Sequence, residues 1–326
     1  MLTGLMLAWV LAAGPPSSAD VVMGEVTLRV SEAEAAQVFH VVDQLSRWSE
    51  FCHLQYSRWA EANLRLTAED RALLGQHAEL RKARGWGHGF EQAFYVDATI
   101  AKATADASKA GLLSPAEVTA EKKILSHFAL RLRPLLDAGR EENLRFRTRL
   151  VQQREALAGT MSRLVKFSEH PGAVVIPVFL IPNPEPGNSG GGFNGGRLVL
   201  ETQATPDPMP TLLHEVFHAV LAARSADLAS AAAQVSGLDQ QTLNEGIAYA
   251  FSPGILGANA EGLDELADGL AADVLRGKKP TDAYLRFKLY AMLLRPMLRE
   301  ALDKGEPLSA FLPRAVAKLK TLQPKP

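Results

Sequence analysis

The segment 210–222, with the sequence PTLLHEVFHAVLA, limits what the chain can fold into more than any other stretch. Burying His214, Glu215 and His218 among so many apolar neighbours costs free energy unless something compensates these ionisable groups. On a helix, residues four apart lie about 40° apart around the axis and roughly 6 Å apart along it. The two histidines therefore project from one helix face, from which they can chelate a metal ion.

Glu215 directly follows the first histidine, so its carboxylate can hold and deprotonate a water molecule that the metal activates. By chance alone, the pattern His-Glu-x-x-His arises in roughly one chain in a hundred of this length. The pattern therefore does not establish a peptidase site by itself. Because a zinc peptidase site also needs a third protein ligand, we expect one elsewhere in the chain.

The composition favours a globular protein with one large domain or two small ones. The chain has 326 residues, of which 47% are hydrophobic and 22% are charged, and its net charge is −1. It has no strongly basic region, and its aromatic residues are not interleaved with Lys or Arg. Nucleic acid is therefore not an expected partner.

Residues 1–19 have the pattern of a secretory signal peptide. An apolar run over residues 5–13 precedes several helix breakers, and Ser17 and Ala19 suit a cleavage site after Ala19. The run is too short to span a bilayer, so we expect a periplasmic or secreted protein with no stable membrane insertion after cleavage. The alternative is a buried N-terminal helix, because no Lys or Arg precedes the run. Cys52 is the only cysteine, and an exported protein without disulfides is more typical of a bacterium.

The region from residue 20 to residue 166 is predicted to be mainly helical after a short strand at residues 26–30. Its segments carry apolar residues at helical spacing with charges between them, which is typical of a solvated amphipathic bundle. The predicted segments are 32–65, 68–83, 90–110, 115–137 and 140–166. Ser114, Pro115 and Glu117 form a helix-start signature. The histidines of this region show no metal-ligand spacing: His40, His53, His77, His88 and His127.

The pattern changes at His170-Pro171-Gly172. The β-branched run 174–181 predicts a buried strand, and residues 197–202 predict a second one. The glycine-rich loop 182–196 suggests that the two form an antiparallel hairpin. This strand pair leads directly into the helix with the two histidines. An exposed strand edge beside a metal-binding helix can hold an extended peptide through backbone hydrogen bonds. Further along, residues 262–275 predict an acidic amphipathic helix.

Glu245 is the predicted third ligand, near the start of a helix with the sequence LNEGIAYAF. It lies 27 positions after His218, which leaves room for the chain to turn and bring the second helix alongside the first. Asp227 and Asp239 are the alternatives. Asp227 lies in the same helical stretch as the histidines, and helix capping is the simpler role for Asp239.

The paired motifs resemble those of the gluzincin peptidases, the thermolysin-like class. The resemblance covers residues 174–252 and consists of the His-Glu-x-x-His motif followed by Asn244-Glu245-Gly246-x-Ala248-Tyr249. The chain also resembles an uncharacterised bacterial family of predicted zinc-dependent proteases. In gluzincins, the glutamate of an Asn-Glu-x-x-Ala helix completes the zinc site. The resemblance therefore implies one Zn²⁺ ion bound by His214, His218 and Glu245.

Gluzincin-like sites also use a downstream Tyr, His or Arg to stabilise the oxyanion that develops during hydrolysis. Three tyrosines are candidates for this donor in the present chain. Tyr290 is ranked first, and the others are Tyr284 and Tyr249, which lies one turn after Glu245.

These features predict an α+β, predominantly α-helical protein. We expect a signal peptide at residues 1–19, an N-terminal helical bundle over residues 20–166, and a zincin-like catalytic domain with a small antiparallel sheet over residues 167–326. The expected activity is that of a zinc-dependent metallopeptidase that acts on a peptide or protein substrate, with Glu215 as general base. The oligomeric state is left open.

The alternative function is that of an exported, non-enzymatic helical binding protein with a structural or vestigial zinc site. The intact Glu215 favours the peptidase, because a structural site has no need of that carboxylate. The sequence also leaves three roles open for the N-terminal helices. They can cover the cleft, act as a removable pro-segment, or form the second wall of the cleft.

Overall fold

The computed structural model describes residues 18–87, 89–185, 190–203, 206–257 and 283–321. It confirms an α+β protein that is predominantly helical. The strands are β1 (Ser18–Met23), β2 (Val26–Ser31), β3 (Val174–Pro182), β4 (Gly191–Asn194) and β5 (Arg197–Thr202). The N-terminal helices are α1 (Glu34–Ser46), α2 (Leu54–Asn63), α3 (Ala68–Arg84), α4 (Gly89–Phe94), α5 (Ile100–Lys109) and α6 (Pro115–Phe167). The C-terminal helices are α7 (Met209–Leu221), α8 (Ser225–Ala232), α9 (Gln240–Tyr249), α10 (Ala283–Lys304) and α11 (Leu308–Lys320).

The five strands form one mixed sheet in the order β1-β2-β3-β5-β4. β2 and β5 both run parallel to β3, whereas β1–β2 and β4–β5 are antiparallel pairs. The predictions of a small antiparallel sheet and of a β3–β5 hairpin are therefore wrong. The reason is that part of the glycine-rich loop forms the additional strand β4. The chain reverses at Gly195 and Gly196, whose φ angles of 58° and 80° suit a tight hairpin turn.

The sheet separates two hydrophobic cores, and β3 contributes to both. Ile176, Val178 and Leu180 face one core with the C-terminal helices, while Phe179 and Ile181 face the other with the N-terminal helices. From Val178 onward β3 is buried on both faces, which explains the apolar run in this part of the strand, because such a strand has no polar side. Strands from both sides of residue 166 pair within this sheet. The division into domains at that residue stays a prediction.

A single helix of 53 residues, α6, replaces two of the predicted segments. Its start is as predicted: Ser114 accepts a hydrogen bond from the backbone of Glu117, whose carboxylate accepts one from the backbone of Ser114. Gly139 does not end the helix as predicted. A side chain at Gly139 would overlap Pro182, so this glycine instead lets the helix lie against the end of β3.

A buried charged cluster joins the N-terminal helices to one another. Arg81 on α3 is fully buried and donates to Asp43 on α1 at 2.7 Å and to Glu91 on α4. His77 lies between Asp43 and Glu121 on α6, at 3.1 and 3.0 Å. Removing one member of such a cluster leaves a buried charge without its partner. The cluster therefore fixes four helices relative to one another.

Three sequence-based predictions lie partly or wholly outside the described residues. Residues 1–17 are among them, so the signal peptide stays a prediction, and cleavage after Ala19 would fall within β1. His88 and the acidic helix at residues 262–275 also lie outside. In the described ranges, no helix is both long enough and apolar enough to cross a bilayer.

Candidate metal centre

Helix α7 carries the predicted pair of histidines and is buried on most of its surface. Phe217 and its apolar neighbours pack into the core that lies between the sheet and the C-terminal helices. His214 and Glu215 are each only 8% exposed. The predicted helix is thus confirmed, and its ionisable side chains lie where an unpaired charge would be costly.

The nitrogen and oxygen donors of His214, His218 and Glu245 converge on one point. The Nε2 atoms of the two histidines are 3.0 Å apart, and Glu245 Oε2 lies 3.1 Å from that of His214 and 3.5 Å from that of His218. With metal–ligand bonds of about 2.0–2.1 Å, neighbouring donors of a tetrahedral zinc site lie about 3.3 Å apart. The three atoms therefore have the spacing of one face of such a tetrahedron. This group could hold a metal ion.

The ring of His214 is oriented so that its lone pair faces this point. Its Nδ1 atom lies 3.3 Å from the backbone oxygen of Ser252, which can only accept a hydrogen bond. Nδ1 therefore carries the proton, and Nε2 is left as a metal ligand. The Ser252 hydroxyl in turn donates to the backbone oxygen of Pro210 at 2.7 Å, which fixes the orienting carbonyl against the start of α7.

Asn244 lies beside His218 and next to the third ligand. The Nδ1 atom of His218 and the Oδ1 atom of Asn244 are buried, and neither has a partner at hydrogen-bonding geometry among the described residues. Burial lowers the pKa of His218, but the hydrogen bond with Glu245 and the charge of Glu215 outweigh it and raise this pKa, with a smaller contribution from Asn244. Asn244 therefore lies near the second histidine without a hydrogen bond that fixes its ring.

Glu245 reaches the site from α9, whose start is fixed by Asp239. The Asp239 carboxylate accepts a hydrogen bond from the backbone of Thr242 at 2.7 Å, which is helix capping. Asp227 instead pairs with Arg224. Neither alternative ligand belongs to the group of three donors, and the structure brings Glu245 to the histidines as predicted. Burial opposes ionisation of Glu245, but its close contacts with both histidines hold its pKa at about 2.

Glu215 lies beside the three donors but does not belong to the group. Burial raises the pKa of its carboxyl, the two histidines oppose this effect, and the charge of Glu245 adds to it. The backbone of Phe193, in strand β4, partly offsets this shift and lowers the pKa. Strand β4 therefore lies close to the Glu215 carboxyl group.

Strand β4 lies at one end of the sheet, directly over Glu215. A Cβ atom at Gly191 would lie 2.7 Å from Thr211 Cγ2 and 3.2 Å from Glu215 Cγ, so only glycine allows this approach. The backbone of Glu201 donates to that of Gly190 at 2.8 Å, and hydrogen-bonded pairs alternate along an antiparallel ladder. The backbone groups of Gly191 and Phe193 therefore point away from β5.

A cavity of about 430 Å³ lies between β4 and the C-terminal helices. Glu215, His218 and Glu245 form one part of its wall. Its remaining residues carry no ionisable side chain: Gly191, Gly192, Phe193, Asn194, Leu221, Ala222, Ser225, Leu228, Gln240 and Asn244. The candidate metal site therefore opens into a space lined by uncharged groups.

The three candidate tyrosines lie in different positions. The ring centroid of Tyr249 is 4.4 Å from that of His214, and burial together with the charge of Glu245 raises its pKa. Tyr284 is 56% exposed and close enough to Tyr249 to contribute to that shift. Tyr290 packs against Gly246 on α9. Of the three, Tyr249 directly contacts a predicted metal ligand.

No known family model matches the chain, and neither a curated protein nor a solved structure matches it. The geometry of the site is therefore what bears on function.

Proposed function

We propose that the chain is a zinc-dependent peptidase of the gluzincin type. The observation that carries the proposal is the convergence of the three donors of His214, His218 and Glu245, with Glu215 held beside them but outside their group. Structural zinc sites use four protein ligands, whereas catalytic sites use three and leave a position open. Two imidazoles and one carboxylate also form a donor set that suits zinc.

A zinc ion at this site would supply Lewis-acid chemistry, which polarises a carbonyl and makes water more acidic. Glu215 takes the proton from the attacking water and passes it to the leaving amine. The close packing of strand β4 over the Glu215 side chain positions its carboxylate for both transfers. The backbone groups of Gly191, which point away from β5, align an extended peptide beside β4, so that its scissile carbonyl lies next to the metal site.

The test of this function is digestion of a peptide library by the purified, zinc-loaded protein. We expect one zinc ion per chain, cleavage of peptides, loss of cleavage after chelation, and recovery when zinc is added back. Protein that contains no stoichiometric zinc would contradict the proposed site. One tightly bound zinc ion without cleavage of any peptide would instead favour the non-enzymatic binding protein.

Tyr249→Phe should lower kcat by about 100-fold and change KM little, because removing one oxyanion donor from a hydrolase has an effect of this size. Tyr249 is the preferred donor since its ring lies against His214 and is close enough to Glu245 and Glu215 for their charges to raise its pKa. Tyr290→Phe is the matched control and should keep nearly wild-type kcat. If Tyr290→Phe loses activity and Tyr249→Phe does not, the donor is Tyr290, as ranked from the sequence.

A further inference from the structure

The start of strand β4 is fixed by the side chain of Glu201 as well as by the sheet. The backbone N–H of Gly190 donates to Glu201 Oε2 at 3.2 Å, and the Gly190 carbonyl accepts from the Glu201 backbone at 2.8 Å. Glu201 is only 1% exposed. A side chain at Gly190 would collide with this carboxylate and with the ring of His53. The residue before β4 is therefore enclosed on two sides.

Two histidines from the N-terminal helices hold the Glu201 carboxylate. His40 on α1 places Nε2 3.1 Å from Oε1, and His53, just before α2, places Nδ1 3.0 Å from the same oxygen. Burial opposes ionisation of Glu201, but the hydrogen bonds with these histidines hold its pKa at about 2. The carboxylate is therefore ionised and accepts charge-assisted or neutral hydrogen bonds from both rings.

This cluster is not a second metal site. In the described part of the chain, only His214, His218 and Glu245 bring three metal-ligating atoms close together. The Nδ1 atom of His40 is also occupied, 3.2 Å from the hydroxyl of Tyr95. The cluster therefore acts through hydrogen bonds.

The other end of β4 also lies on the N-terminal helices. A Cβ atom at Gly195, in the β4–β5 turn, would lie 3.3 Å from Gln92 Cγ and 3.4 Å from Glu91 Cβ, so the turn is in close contact with α4. Helix α4 is itself fixed by the buried ion pair between Glu91 and Arg81. Both ends of a four-residue strand thus contact the same group of helices.

We propose that helices α1, α2 and α4 position the edge strand β4 over Glu215, with Glu201 and His53 as positioning residues. The inference rests on the proposed function, since β4 is the strand that would bind the peptide. It assigns the N-terminal helices a permanent role at the cleft rather than that of a removable pro-segment. Removing α1 and α2 would leave the buried Glu201 carboxylate without both of its histidine partners.

His53→Ala tests this inference, and His127→Ala is its matched control. His127 also pairs with a carboxylate, Asp70, at 2.7 Å, and its side chain is 26% exposed against 37% for His53. In the part of the chain that the structure describes, neither His127 nor Asp70 forms a hydrogen bond or an ion pair with residues 190–203. Two measurements are made on the full chain: amide hydrogen exchange of residues 190–194, and KM and kcat for a peptide substrate.

In His53→Ala we expect exchange of these amides to be about tenfold faster. We also expect kcat/KM to be about tenfold lower, mainly through a higher KM, because a displaced strand binds the peptide backbone less well. His127→Ala should change neither quantity. His53→Asn should restore both, since its amide nitrogen can take the place of Nδ1.

The inference would be overturned if amide exchange and KM are unchanged in His53→Ala. It would also be overturned if His127→Ala changes both quantities equally, because such a result indicates a general loss of stability in the N-terminal helices. If the wild-type protein cleaves no peptide, the proposed function fails by itself. The exchange comparison still decides whether the helices hold β4 in that case.

Discussion

Glu215→Gln should leave one zinc ion bound per chain while it lowers kcat by about 1,000-fold, the range in which loss of a general base falls. Glutamine has nearly the shape of glutamate, so the close packing of Gly191 against this side chain should be unchanged. What it cannot do is take a proton from water. Because Glu215 lies outside the donor group, the three ligands should bind zinc as before.

Zinc content and steady-state kinetics on the same preparation check this result. Loss of zinc along with activity would show that Glu215 supports the metal site. The variant would then not test whether Glu215 acts as the general base. Activity equal to that of the wild type would contradict the mechanism outright. The alternative binding protein predicts no peptide cleavage by either form.

The candidate site could be predicted from the sequence because its geometry is mostly local. Helical spacing places His214 and His218 on one face whatever surrounds them. Glu245 needed more information, since nothing local shows which later carboxylate returns to the site. Its position 27 residues after His218 and the simpler roles of Asp227 and Asp239 favoured it, and the resemblance to gluzincins implied the same residue. The packing of β4 over Glu215 could not be predicted, because it depends on the tertiary fold.

The fold was predicted less well wherever glycine was read only as a breaker. Gly139 lies within α6, where it allows close contact with Pro182, and Gly191 lies within β4 against Glu215. At both positions the absence of a side chain allows a close tertiary contact, and a local sequence pattern does not reveal such a contact. The contact of Glu201 with His40 and His53 likewise depends on the tertiary fold and not on a local pattern. Glu201 lies 161 positions from His40 and 148 from His53, and it meets them because β3 pairs with both β2 and β5.

Glu245→Gln should lower the affinity for zinc by at least about 100-fold. Substituting residues that merely orient a ligand costs 10- to 100-fold, so loss of a ligand should reach or exceed that range. Asp227→Asn is the matched control, because this exposed carboxylate lies in the same C-terminal region and pairs with Arg224 instead. It should bind zinc like the wild type, which also tests Asp227 as the alternative ligand.

Zinc titration, followed by metal-dependent thermal unfolding, measures the change. An ion that binds only the folded state stabilises it by about 2.7 kcal/mol at a concentration 100 times Kd. In Glu245→Gln, this gain should nearly vanish at the zinc concentration that stabilises the wild type, whereas Glu215→Gln should keep it. If Glu245→Gln binds zinc normally, a different residue completes the site. The opposite behaviour of these two neighbouring carboxylates separates metal binding from proton transfer, which no measurement of activity alone can do.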